Sequence, residues 1–157
     1  MEYQLIKKEK FAFYGMSQRF TTVDGANFRD IPLFWDKVLK DGSFDEMMKI
    51  TDSEQSLGVC MPMISEEDHA FDYVIGAFTN EAKEGYDYYD VPEAEWAIFD
   101  VRGPVNPKLQ EAWKYIFSEW FPETGLKHAK LPEFEVYSDD DVESDDCKTE
   151  IWIPIER

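Results

Sequence analysis

Two cysteines, two histidines and fewer than half as many basic as acidic residues mark what this 157-residue sequence has little of. Cys60 and Cys147 form no CxxC motif, and a cytoplasmic protein with free thiols is the simplest reading. His69 and His128 stand alone, and HExxH, GxSxG and a glycine-rich phosphate loop are all missing. The acidic run "DDDVESDD" lacks EF-hand spacing and its glycine, so it reads as a solvated loop. No metal and no cofactor are expected. No apolar stretch is long enough for a membrane span, and "MEYQLIKKEKFAFYG" has no secretory apolar run. With 16 Lys and Arg against 34 Asp and Glu, the net charge is −18. Such a surface repels phosphate backbones and attracts cations, which argues against direct nucleic-acid binding.

What is abundant is aromatic. Five Trp, eight Tyr and twelve Phe make up 16% of the chain. That suits either a bulky core or an aromatic-lined cavity. The length supports a single domain over residues 1–157.

Periodicity supplies the elements. "EKFAFYGMSQRFT" (9–21) alternates as a strand. "RDIPLFWDKVLKDG" reads as a helix, with Asp30 as cap, Pro32 in its first turn and Gly42 at its end. "FDEMMKI" adds a helical turn. "SLGVCMPM" (56–63) and "FDYVIGAF" (71–78) read as strands joined by "ISEEDHA". The stretch from Thr79 to Glu95 reads as a connector, and "EWAIFDVRG" as the next strand. A second helix is capped by Asn106, started by Pro107 and closed by Pro122 with Gly125. Leu109, Ala112, Trp113, Ile116, Phe117, Trp120 and Phe121 give it one apolar face. "FEVY" and "TEIWIPI" are the last strands. The order strand–helix–strand–strand thus occurs twice, in halves of about 1–80 and 94–157. Trp35 and Trp113 hold similar places in the two helices. The fold class expected is α+β, with an antiparallel sheet, pseudo-twofold symmetry and a ligand groove between the halves.

Alternation then sorts the faces. Ile151, Ile153 and Ile155 point one way and Glu150, Trp152 and Pro154 the other. Matching the isoleucines with Phe134 and Val136 as the helix-facing set leaves Glu135, Tyr137, Glu150 and Trp152 on the free face. Ala97, Phe99 and Val101 fit beneath a helix, which adds Trp96 and Ile98 to the free side. Such a face is either solvated or the wall of a pocket, and the clustered aromatics favour the pocket. A carboxylate among aromatic rings suits a flat lipophilic cation, with cation–π attraction of about 0.5–2 kcal/mol per ring.

"EWAIFDVRG", "AWKYIFSEWFPETG", "FEVY" and "TEIWIPI" in this order resemble the GyrI-like small-molecule-binding domain, the effector-binding domain of AraC-type and MerR-type multidrug regulators. The resemblance implies the duplicated fold, a groove for lipophilic, often cationic compounds, and a buried glutamate falling on Glu135. Tyr137 and Trp96 fall on pocket-wall positions. Some stand-alone members hydrolyse cyclopropane-containing toxins through a pocket glutamate; others bind drugs or protect gyrase. No helix-turn-helix segment or basic patch accompanies the domain here, which argues against direct transcription control.

Three functions follow as expectations. The first is binding of lipophilic or cationic small molecules by Glu135, Tyr137, Trp96, Ile98, Trp152 and Glu150. The second is a hydrolase in which Glu135 activates water and Tyr137 serves as acid. The third is an acidic protein-interaction partner. Oligomeric state is left open, a homodimer included.

Overall fold

The computed structural model describes residues 1–51, 53–64, 67 and 69–157. The strands are β1 (Tyr3–Lys8), β2 (Phe11–Thr21), β3 (Ser56–Cys60), β4 (Ala70–Thr79), β5 (Asp87–Val91), β6 (Ala94–Arg102), β7 (Lys127–His128), β8 (Glu133–Tyr137) and β9 (Lys148–Glu156). The helices are α1 (Ala26–Lys40), α2 (Ser43–Lys49) and α3 (Val105–Tyr115). The last of these runs on through a π-helical turn (Ile116–Trp120) into a final turn, α4 (Phe121–Thr124).

All nine strands belong to one sheet, ordered β1-β6-β9-β8-β3-β4-β2-β5, with β7 added to β9. Its centre is palindromic. β2, α1, β3 and β4 repeat as β6, α3, β8 and β9, and the halves meet where β3 pairs antiparallel with β8. At that junction Gly58 faces Glu135. The duplicated α+β reading therefore holds.

Both sheet faces are buried, for different reasons. On one face α1 and α2 bring Phe34, Val38 and Met47 onto Phe20, Phe71, Tyr73 and Ile75. Beside them, α3 and its extension lay Leu109, Ala112, Ile116 and Trp120 over Ala97, Phe99, Ile151 and Ile153. The opposite face is closed by curvature. β5 and β6 are joined by residues 92–93 alone, and β1 and β2 by residues 9–10, yet each pair lies near opposite ends of the strand order. Links of that length span at most about 11 Å, so the two edges must approach each other. The space between fills with Phe13, Leu57, Val74, Trp96, Phe134 and Trp152. Where β2 crosses β4, Gly15 faces Gly76, and a Cβ on either would overlap the backbone of the other strand.

This second core corrects the face assignment of β8. Residues opposite each other in an antiparallel pair point to the same side. Phe134 is opposite Trp152 and Val136 opposite Glu150, whereas Glu135 is opposite Ile151 and Tyr137 opposite Thr149. Phe134 and Val136 thus belong with Trp96, Ile98 and Trp152 in the core away from the helices. Glu135 and Tyr137 are on the helix side. Matching apolar with apolar presumed one core, and the curled sheet has cores on both faces.

Smaller differences have local causes. α1 starts at Ala26, four residues before Asp30, whose carboxylate accepts from Arg29 and caps nothing. Asn106 makes no capping bond either, and its backbone is extended (φ −105°, ψ 118°). Gly125, with φ 72°, ends the second helix as expected. The 79–95 connector contains β5, whose "DYYDV" pattern is carried by tyrosines rather than aliphatics. The turn read over 64–70 falls partly on Ser65, Glu66 and Asp68, which lie outside the described residues.

His128 is not isolated. Its Nε2 lies 2.9 Å from Glu133 Oε2 and its Nδ1 2.6 Å from the Ala129 carbonyl oxygen. Burial disfavours the charged ring, but the hydrogen bond and charge of Glu133, with the Ala129 carbonyl, outweigh it and raise its pKa. Both ring nitrogens face acceptors, so the imidazolium satisfies both. Stability from this pairing is complete below the unfolded histidine pKa of about 6.5 and is lost as pH rises through the higher folded value. His128→Gln should therefore cost stability at pH 5.5, by about 1 kcal/mol or less, and little at pH 8.5. Urea denaturation at both pH values measures this; an equal loss at both would refute it.

Candidate ligand site at Glu135

The central strands bring an ionisable group to the junction of the two halves. β8 carries Glu135 to the helix side of the sheet, opposite Gly58 of β3. A Cβ on residue 58 would overlap the Tyr73 hydroxyl and lie 3.3 Å from Glu135 Oε1. The missing side chain is what lets Tyr73, from β4, reach across β3 towards the carboxylate.

Three neutral donors surround Glu135. Trp113 Nε1, from α3, donates to Oε2 at 3.0 Å. Tyr137 OH donates to Oε1 at 3.2 Å, and Tyr73 OH donates to the same oxygen at 3.4 Å. Trp35 Nε1, from α1, donates to Tyr73 OH at 2.9 Å. The two tryptophans at matching helical places therefore serve one carboxylate, Trp113 directly and Trp35 through a phenol. Trp35 also meets Tyr137 edge to face at 5.4 Å. Outward, Trp113 stacks on Phe117, whose ring is half exposed.

No cation accompanies this carboxylate: among the described residues, Glu135 is in no ion pair. Burial raises its pKa, the Trp113 and Tyr137 hydrogen bonds lower it, Glu133 raises it and the Tyr73 bond lowers it; the balance is upward. Tyr73 and Tyr137 are pushed well above the usual phenol value, by burial first and by the charge of Glu135 next. Both stay protonated and can only donate toward Glu135. Cys60, at the same strand junction, is raised by burial and by the charges of Glu133 and Glu135, so it remains a thiol.

Of the residues singled out in the sequence, Glu135 and Tyr137 come together here. Trp96, Ile98 and Trp152 are buried in the core on the opposite face. Glu150 is on that face too, accepting from Trp152 Nε1 at 3.0 Å. Four participants escaped the sequence reading: Trp35, Trp113, Tyr73 and Gly58. The repeated tryptophan was visible as a pair, but a helical stripe does not tell a ring facing the core from one at its edge.

The fold is that of a small-molecule-binding domain. The GyrI-like small molecule binding domain family matches residues 1–156, and the chain belongs to that family. A DNA gyrase inhibitor of Erwinia billingiae is 26% identical over 135 residues, covering 78% of this chain and 85% of its own. Among solved structures, SAV2435 bound to tetraphenylphosphonium superposes with a TM-score of 0.86 at 22% identity, over 99% of this chain and 94% of its own. A protein of Staphylococcus aureus gives 0.78 at 24% identity, over 100% and 99%. A hydrolase from Listeria innocua gives 0.51 at 10% identity, over 99% and 92%. Among the described residues no helix is long and apolar enough to cross a membrane.

Proposed function

We propose that this protein binds lipophilic, aromatic cations at Glu135, with Trp35, Trp113, Tyr73 and Tyr137 as the surrounding surface. The observation that carries this is the carboxylate itself: largely desolvated and, among the described residues, held by neutral donors with no counter-charge. An uncompensated buried charge is costly, and a ligand cation supplies the partner that the protein does not. Entry would displace an indole N–H from the carboxylate and leave the ring as a cation–π surface. That SAV2435, a relative in fold, was solved with a lipophilic phosphonium supports the reading.

Tetraphenylphosphonium has a charge that does not vary with pH, so any pH dependence of its binding belongs to the protein. Affinity should rise with pH through the raised pKa of Glu135 and level off above it. Trp113→Phe keeps a ring but removes a donor that stabilises the carboxylate, so the midpoint should move to higher pH. Calorimetric titration between pH 4.5 and 8 tests both; a flat profile would remove Glu135 from the reading.

The second reading, hydrolysis of a strained electrophile, uses the same group. A carboxylate with a raised pKa is a stronger base, and Tyr137 lies within hydrogen-bond reach of it. The protonated Tyr137 is too weak an acid to release a proton readily, which favours binding. Incubation with a cyclopropane-containing electrophile, followed by mass, separates the two: addition of water that is lost in Glu135→Gln indicates the hydrolase.

A further inference from the structure

A second concavity lies away from Glu135. A cleft of about 980 Å³ opens on the other side of the sheet, bordered by the β1–β2 and β4–β5 connections and by Thr51, Ser53 and Gln55. It is independent of the Glu135 site, because Trp152 in its wall points to the face opposite Glu135.

Its wall has two features that do not follow from the acidity of the chain. One is aromatic. Phe78 stacks on Trp152 with centroids 5.2 Å apart, and Phe11 meets Phe78 at 5.8 Å and Trp152 at 6.0 Å. The other is basic. Lys8, Lys10 and Lys83 all line the cleft, and Lys8 Nζ sits 4.4 Å from the Trp152 ring centroid. Three carboxylates are also there, Glu9, Glu81 and Asp90. Glu81 pairs with Lys83 at 3.5 Å, and Asp90 accepts from Tyr88 OH at 3.1 Å. Among the described residues neither Lys8 nor Lys10 makes an ion pair, although acidic residues outnumber basic ones two to one in the chain.

From these we infer that the cleft is a second ligand site, selective for planar aromatic anions such as arene carboxylates or sulfonates. The sign of the charge follows from Lys8. Its ammonium already occupies the position over Trp152 where a cationic arene would gain cation–π energy, and it would repel that arene. An anionic arene instead pairs with Lys8 and Lys10 while its ring packs among Phe11, Phe78 and Trp152. Gln55 and Asn80 add side-chain amides to the lining that can donate to the anion, whereas the hydroxyls of Thr51, Ser53 and Thr79 donate to the carbonyl oxygens of Phe78, Gln55 and Glu81. The protein then presents opposite charge preferences on the two faces of one sheet.

The test uses 2-naphthoate and 2-naphthylmethylammonium as probes of matched ring and opposite charge, with amide NMR spectra of the whole chain. 2-Naphthoate should give saturable shifts at Lys8, Lys10, Phe11, Thr79 and Asn80. The Lys8→Gln/Lys10→Gln variant should weaken it at least about fivefold. Lys10→Glu, at an exposed position where folding is not at stake, should weaken it as well. Glu135→Gln should leave it unchanged, so failure of this inference and failure of the Glu135 reading are distinguishable. Shifts confined to Gly58, Tyr73, Trp113 and Tyr137, no saturable shift, unaltered binding in the lysine variants, or equal binding of the ammonium probe would each overturn the inference.

Discussion

Glu135→Gln should abolish most of the affinity for tetraphenylphosphonium while leaving the protein as stable as before, or more so, at neutral pH. The two effects share one cause. The carboxylate is largely desolvated among neutral donors, so its charge is unfavourable to the fold and available to a ligand. Removing one member of a desolvated charge pair costs about 2 kcal/mol or more, which is about 30-fold in the dissociation constant. The stability effect has the opposite sign. Burial raises the folded pKa of Glu135 above its unfolded value. Stability from such a group is complete below the unfolded pKa, about 4.3, and is lost as pH rises through the folded value. At pH 7 the ionised side chain is therefore a penalty that glutamine does not carry. Near pH 4 the difference should shrink. Titration calorimetry and thermal melts at pH 4 and 7 measure both. A variant that is less stable at pH 7 and binds the phosphonium as before would contradict the site on both counts.

Gly58→Ala should be strongly destabilising, although it adds a single methyl. The added Cβ would overlap the Tyr73 hydroxyl, and Tyr73 is fully packed and bonded to Trp35 and Glu135. It cannot move without breaking that chain of hydrogen bonds. Overpacking of this kind costs about 1–3 kcal/mol, and the lost bonds place the expected value at the upper end. Displacing Tyr73 also removes a donor from Glu135, so the pH midpoint of cation binding should rise. Tyr73→Phe in the Gly58→Ala background removes the atom that the methyl meets. It should recover about 1 kcal/mol or more, read as a coupling term in a double-mutant cycle by urea denaturation. Additive losses would show that the methyl clashes elsewhere.

These predictions concern residues of unequal visibility in the sequence. Glu135 stood out as a carboxylate alternating with Phe134 and Val136. Tyr137 followed by the same alternation. The tryptophan pair was seen as a repeat, with Trp113 read as part of one apolar helix face. Gly58 gave no signal at all, because a glycine within an apolar strand reads as a bulge, a close approach or a weak point alike.

By itself the sequence determined the local and repetitive features. Period-2 and period-3.6 patterns marked most strands and both main helices, because an element that buries one face must alternate or stripe. The duplication followed from element order, and the charge balance from counting. Tertiary structure decided which face of β8 is which. Alternation divides a strand into two sets, but only pairing register says which set meets the helices. Here both sets meet a core, since two short links draw the sheet edges together and bury the face that one-layer logic leaves to solvent. That register put Trp96, Ile98, Glu150 and Trp152 on the face away from Glu135. It also placed Trp152 in the wall of the lysine-lined cleft, and it left the carboxylate to the two tryptophans of the helices.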